Sequence, residues 1–212
     1  MATRRAAQTV VRKDIQRVLK EWRGAVKVWC DKLGGDDIPW WYNERSSVSI
    51  LAVAIWKAGG VALEEYAADK GKKKKHWKGR GDLFIKLNGQ KYILEAKQKW
   101  VSLSARAQIT KERLKSTVKA AKKAVLETRL NGGRRLACVF FVPYISIREK
   151  RLMNGRVGLL ITVLKHMEKA YRVNTAWFFP KETHWDFRHE GYIYPGIAIL
   201  IRPLRLDARS RD

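Results

Sequence analysis

Two carboxylates and an amine, Asp82, Glu95 and Lys97, are the side chains whose types and spacing could do chemistry together. They lie at the ends of two strand-like runs, Leu83 to Leu87 and Lys91 to Ala96. Asn88-Gly89 joins the runs and suits a two-residue type I′ turn, which needs positive φ at both central residues. With that turn, Leu87 faces Gln90, Lys86 faces Lys91, Phe84 faces Ile93 and Asp82 faces Glu95. Directly opposed residues of an antiparallel pair share a face, as do side chains two apart on one strand. The spacing therefore predicts Asp82, Glu95 and Lys97 on one face, with Arg80 opposite Lys97. Two facing acids with Cβ atoms about 5 Å apart repel unless a positive charge lies between them. A hard divalent cation supplies that charge, because Mg²⁺ takes oxygen ligands from one or two carboxylates. A lysine beside it adds stabilisation for developing negative charge.

The elements that must position this hairpin lie on either side of it. From about Arg5 to Leu33 a helical stripe runs through Val11, Ile15, Val18 and Trp22, continues through Ala25, Val26 and Trp29, and ends at Gly34-Gly35. Its basic opposite face suits either a solvated surface or a nucleic-acid clamp. Asp36 to Tyr42 reads as a turn whose Trp40 and Trp41 are core anchors or stacking platforms. Asn43 is the expected N-cap of a helix to about Ala58 with Val48, Leu51 and Ile55 inward, and one turn back on that stripe lies Glu44. A first-turn acid is favoured by the helix dipole. Val61 to Tyr66 reads as a first strand, with Glu64 and Glu65 as alternative extra acids.

The run KGKKKKHWKGR, Lys70 to Arg80, reads as a basic loop hanging over the hairpin's acids, where phosphates would lie. Its Lys72, Lys73, Lys74, Lys75, Lys78 and Arg80 are candidate nucleic-acid contacts. After the hairpin, Ser102 or Ser104 is expected to cap a helix to about Leu130, with Leu114, Val118, Ala121 and Val125 inward. Lys111 and Lys115 belong to its basic outer face, and Asn131-Gly132-Gly133 ends it. Leu136 to Val142 is a continuous apolar run, as in a central strand covered on both faces. Val157, Leu160, Leu164, Met167 and Tyr171 mark a further helix, and Thr175 to Phe179 and Tyr192 to Ile201 two further strands. His184, Asp186 and His189 form an H-x-D-x-x-H cluster with no element to fix its geometry for a transition metal. The tail after Leu206 reads as disordered.

Charge narrows the partner. The 212 residues include 45 Lys and Arg against 20 Asp and Glu, a net of +25, which favours a polyanion. Nucleic acid fits, and an acidic membrane surface would also be attracted. Cys30 and Cys138 are too few for a disulfide framework and lack zinc spacing, so an intracellular, reducing location is expected. Apolar runs fall short of the roughly eighteen residues of a spanning helix, so no membrane insertion is expected. The Arg-rich start is followed by Asp14 and Glu21 and reads as a structural helix rather than a transit peptide. No small-molecule cofactor is indicated.

Asp82, twelve residues, Glu95, one residue and Lys97 resembles the D…ExK signature of the PD-(D/E)XK nuclease superfamily, with Gly81 where the name has proline. The order helix, three strands with a hairpin, helix, strand, helix, strand is an α/β layer arrangement and agrees with that family's core. The resemblance implies a restriction-endonuclease-like mixed β-sheet core flanked by helices over residues 36–206, with residues 1–35 as an N-terminal helical extension and 207–212 as a tail. It further implies Asp82, Glu95 and the Ala96 carbonyl as ligands of Mg²⁺ or Mn²⁺, with Lys97 orienting or deprotonating the attacking water. Glu44 matches the family's glutamate on the helix before the first strand and would be an outer or second-metal ligand. Gln108 is similar in position to a glutamine of the exonuclease branch, although Glu112 stands where that branch has an aromatic. The function so implied is a metal-dependent deoxyribonuclease, and a homodimer would suit double-strand cleavage. A non-catalytic nucleic-acid-binding protein, with Asp82 in an ordinary cross-strand salt bridge to Arg80, Lys97 or a lysine of the basic loop, explains the charge equally well but leaves Asp82 facing Glu95 without a purpose. An inactive nuclease fold serving assembly is a third alternative.

Overall fold

The computed structural model describes residues 2–34, 36–72, 75–129, 133–180 and 187–204. Helix α1 (Ala2–Lys32) lays Val11, Ile15, Val18, Trp22 and Val26 in the same apolar cluster as Val48, Leu51 and Ile55 of α3 (Glu44–Lys57). Between them α2 (Pro39–Tyr42) is a single helical turn in the stretch expected as a turn, with Trp40 buried and Trp41 half-buried. Asn43 caps α3 as expected, its Oδ1 accepting from Ser46 N at 3.1 Å.

Strands β1 (Val61–Lys72), β2 (Lys75–Leu87) and β3 (Gln90–Ser102) are joined as antiparallel neighbours. Helix α4 (Lys111–Glu127) then crosses back so that β4 (Arg134–Ser146) runs parallel to β3. A 3-10 turn (Ile147–Leu152), α5 (Met153–Tyr171), β5 (Asn174–Phe178), β6 (Arg188–His189), β7 (Tyr192–Ile193) and β8 (Ile197–Pro203) complete the chain. The main sheet runs β1-β2-β3-β4-β8-β5, and the short β7-β6 ladder hangs from the end of β4. This is an α/β arrangement with an open mixed sheet flanked by helices.

Strand β4 is apolar on both faces because both are covered. Its Leu136, Cys138, Phe140 and Val142 meet the α1 and α3 cluster, while Ala137, Val139 and Phe141 meet Leu114, Val118 and Val125 of α4 and Leu160, Leu164 and Met167 of α5. The Asn88-Gly89 turn has φ of 47° and 74°, as a type I′ turn requires. Buried Asp14 pins α1 to that turn, accepting from Asn88 Nδ2 and the Tyr92 hydroxyl, each at 2.7 Å.

Several boundaries differ from expectation. The basic run expected as a loop is strand on both described sides, because Lys70 pairs Trp77 and Asp69 pairs Lys78 across a β1-β2 ribbon. Ser102 continues β3 by pairing Tyr144, so the α4 cap falls to Thr110, whose side chain accepts from Arg113 N. The expected strand from Tyr192 to Ile201 is split into β7 and β8 at Gly196, which has φ of 153° and comes so close to Phe178 O that a Cβ would lie 2.2 Å away. Lys73, Lys74, Asn131-Gly132, His184, Asp186 and the tail lie outside the described residues, as do the side chains of Lys72 and Lys75. Among the described residues no helix is long and apolar enough to cross a membrane.

Candidate active site

Strands β2 and β3 pair only from Leu87 with Gln90 to Leu83 with Leu94. Beyond that point β2 stays with β1 as far as Lys72 and Lys75, while β3 stays with β4 as far as Ser102 and Tyr144. The sheet forks there, so the expected cross-strand pairs of Asp82 with Glu95 and Arg80 with Lys97 do not form. A continued ladder would have given Gly81 and Gly79 the N–H groups of Ala96 and Gln98. Two carboxylates take them instead: Asp82 Oδ2 accepts from Ala96 N at 2.7 Å, and Glu44 Oε2 accepts from Gln98 N at 2.8 Å. An extended residue sends its N–H and C=O to one edge, so the Ala96 carbonyl faces the same gap.

Local sequence shapes the β2 arm of the fork. The Tyr66 ring lies over Gly81 so closely that a Cβ there would be 2.4 Å from it. Next to Tyr66, Glu65 takes a φ of 50°, which interrupts β1 pairing between Glu64–Leu83 and Tyr66–Gly81. A left-handed non-glycine residue costs roughly 1–2 kcal/mol. Here Arg45 at 3.3 Å and Arg80 at 3.8 Å hold the Glu65 carboxylate in place.

Electrostatics divides the acids between two cations. Lys97 Nζ stands 3.2 Å from Glu44 Oε1, and at 39% exposure it can still be reached from solvent. Glu95 turns toward the end of α4 and is only 3% exposed. Thr128 Oγ1 donates to its Oε1 at 2.7 Å, and Lys70 Nζ lies 3.1 Å from Oε1 and 3.2 Å from Oε2. Lys70 reaches it because β1 closes on the end of α4, where Arg129 N donates to Asp69 O at 2.7 Å. Burial pushes the Glu95 carboxyl above the ordinary glutamate value; the Thr128 bond opposes this, the Asp82 charge adds to it and Lys70 opposes it. Burial, followed by the charges of Glu95 and Asp82, pushes the Tyr66 phenol up to about 12 against the pull of Arg135. The buried Tyr66 oxygen has no hydrogen-bond partner among the described residues. Arg135 itself donates through Nη2 to Thr128 O at 3.2 Å.

The other expected site residues sit apart from these acids. Lys78 pairs with Asp69 at 2.8 Å, Arg80 with Glu65, and Lys111 with Glu112 at 4.0 Å. Lys115 lies over the Tyr171 ring, and Gln108 is exposed in the segment before α4. Of the alternative acids, Glu64 accepts from Ser49 Oγ at 2.8 Å and Glu65 serves the arginines, so Glu44 is the one that joins the fork. Among the described residues no three His, Cys, Asp or Glu side chains are grouped closely enough to hold a metal ion.

Lys70, Thr128 and Tyr66 went unrecognised in the sequence. Lys70 was one basic residue among many, and Thr128 reaches Glu95 only through the tertiary fold. The glycine immediately before Asp82 was the one local sign that something packs there. No family model, curated protein or solved structure matches the chain.

Proposed function

We propose that the chain is a metal-dependent nuclease that hydrolyses phosphodiester bonds of DNA, with the fork between β2 and β3 as its active site. The observation that carries this reading is the free edge of β3. Asp82 and Glu44 hold successive N–H groups along it, and the Ala96 carbonyl and Lys97 lie between them. The order α3-β1-β2-β3-α4-β4 is also the one that the PD-(D/E)XK resemblance implies, which supports a restriction-endonuclease-like reading of the sheet.

Asp82, Glu95, Glu44 and the Ala96 carbonyl are hard oxygen donors of the kind Mg²⁺ or Mn²⁺ takes. Their carboxylates are not grouped around one point among the described residues, so an ion would have to draw them together, with Glu95 leaving Thr128 and Lys70. The Tyr66 hydroxyl, without a partner among the described residues and within the influence of the Glu95 and Asp82 charges, fits a polar occupant near these acids. Such an ion, when bound, lowers the pKa of water and stabilises the charge that develops on the phosphoryl oxygens. Glu44 positions Lys97 at the mouth of the gap, where its ammonium can hold the attacking water or a phosphate oxygen. Lys70 and Thr128 oppose the effect of burial on the Glu95 carboxylate.

The test is cleavage of plasmid, linear duplex and single-stranded DNA in Mg²⁺, Mn²⁺ or EDTA. Wild type is compared with Asp82→Ala and Lys97→Ala at matched DNA binding. Both variants should lose on the order of 10²-fold or more in rate, the scale of removing one preorganised electrostatic group. Variants that cut as fast as wild type would sink the assignment. A second reading, a non-catalytic nucleic-acid-binding protein, is favoured by the Lys70 and Thr128 clamp that already satisfies Glu95. It predicts a wild type that binds but never cuts.

A further inference from the structure

A chain of aromatic rings begins where the fork ends. Trp100 on β3 and Tyr144 on β4 continue the sheet face that carries Gln98 and Val142. Trp100 lies 6.5 Å from Tyr144 and 5.6 Å from Tyr194, and Tyr144 lies 5.5 Å from Tyr192. From Tyr194 the contacts run on to Phe187 at 6.0 Å and from there to Trp41 at 5.8 Å. The three contacts made by Trp100 and Tyr192 are steep, at 72°, 73° and 77°. Edge-on contacts of this kind fix a ring while leaving much of its surface open. Trp100 and Tyr192 are each 41% exposed, so core packing does not account for them.

This wall adjoins the site. Gln98 donates through Nε2 to Trp40 O at 3.3 Å, next to Trp41, and the preceding residue is Lys97. Lys97 and Trp100 are three residues apart on one strand, about 10 Å along it, and leave it on opposite faces, with Gln98 between them on the Trp100 face. The neighbouring charge suits a polyanion: Arg148 is exposed just past the end of β4, while Lys99, also exposed, leaves β3 on the opposite face from Trp100. Two acids at this end are held by neighbours, Asp37 by the Tyr42 hydroxyl at 3.1 Å and Glu190 by His189 at 3.5 Å.

We infer that this aromatic wall is a stacking platform for the unpaired bases of a single-stranded nucleic-acid segment lying against the fork. Every base has a π-face, so stacking on exposed rings is sequence-tolerant, and a basic surround tracks the backbone. A duplex keeps those faces covered, so the wall would distinguish strand ends, gaps or splayed junctions from intact duplex. The inference rests on the reading that this chain binds nucleic acid, but not on its catalysis.

The experiment is fluorescence anisotropy in EDTA, where no metal-dependent cutting occurs. Three probes are used: a labelled oligothymidylate, an abasic deoxyribose-phosphate strand of equal length, and a duplex. Wild type should prefer the oligothymidylate to the abasic strand. Trp100→Ala and Tyr192→Ala should each weaken oligothymidylate binding by roughly fivefold or more, with abasic and duplex binding unchanged and Trp100→Phe restoring the wild-type value. Thermal midpoints within a few degrees of wild type confirm that the variants are folded, as expected for half-exposed rings. Equal affinity of wild type for thymidylate and abasic strands, with duplex binding intact, overturns the platform alone. Failure to bind any probe overturns it together with the nucleic-acid reading. Loss of a dimer in the variants with thymidylate binding unchanged makes the wall an interface between copies and also overturns the proposal.

Discussion

Burying Glu95 beside Asp82 raises the energy of its charged form, and Thr128 and Lys70 return only part of that cost, since the net displacement of its titration is upward. A carboxyl whose folded pKa exceeds its unfolded value contributes stability below the unfolded value and loses it as pH rises through the folded one. The cost is therefore expressed as pH rises above the ordinary glutamate range. Glu95→Gln keeps an oxygen for the Thr128 hydroxyl and removes the charge. The freed Lys70 is 19% exposed on a flexible stem and can turn to water. The expected outcome is a thermal midpoint above that of wild type at neutral pH. The gap should close as pH falls to the ordinary glutamate range, and the proposed nuclease activity should be lost throughout. Differential scanning calorimetry across pH measures this. A variant that melts below wild type at neutral pH would mean that the Lys70 pair repays the burial in full.

At the level of elements, the fork depends on how β1 and β2 pack on one another near Asp82. Glycine in a strand is normally worse than alanine by roughly 0.5–1 kcal/mol, so Gly81→Ala should stabilise unless something occupies the Cβ position. The Tyr66 ring does, at 2.4 Å. Gly81→Ala should therefore destabilise by about 1–3 kcal/mol, the usual cost of overpacking, and a Tyr66→Ala background should reverse the sign. Urea denaturation of the four proteins of this double-mutant cycle decides it, and an equal cost in both backgrounds would clear Tyr66 of the role. The same elements show what a sequence can carry. The hairpin register from Leu83 to Leu94 was legible because alternation and the Asn88-Gly89 turn specify it locally. The strand character of Lys70 to Arg80 was not, since lysine and glycine have little strand preference and the run is held by its partner strand. The parting of β2 from β3 was also invisible, because a ladder read from its turn continues by default. Glu44 lay in line with a buried stripe, and that placement foreshadowed its bond to Gln98 N. Thr128 and Lys70 meet Glu95 from 33 and 25 residues away, beyond the reach of any local pattern.

For the whole molecule, an excess of 25 positive charges and a site lined with acids pull in opposite directions on a phosphate backbone. The resolution is spatial. On the proposed reading, the basic residues hold the polyanion over a broad surface, while the fork presents its carboxylates to one phosphodiester at a time. Helix α4 illustrates the division, because its inner stripe is buried while Lys119, Lys122 and Lys123 are exposed, and its C-terminal end meets Glu95 through Thr128. Each lysine that neutralises a phosphate releases counterions, so the slope of log affinity against log salt counts contacts at about 0.9 per phosphate on duplex DNA. Replacing all three lysines by glutamine should lower that slope by about 2–3, weaken binding similarly for unrelated sequences, and leave the cleavage rate at saturating DNA unchanged. Lys97→Ala should do the reverse, lowering the saturated rate while the salt slope stays close to that of wild type. The two variants thus separate holding from cutting. If the triple variant keeps the wild-type slope, α4 does not track the backbone, and the contacts must come from another basic face.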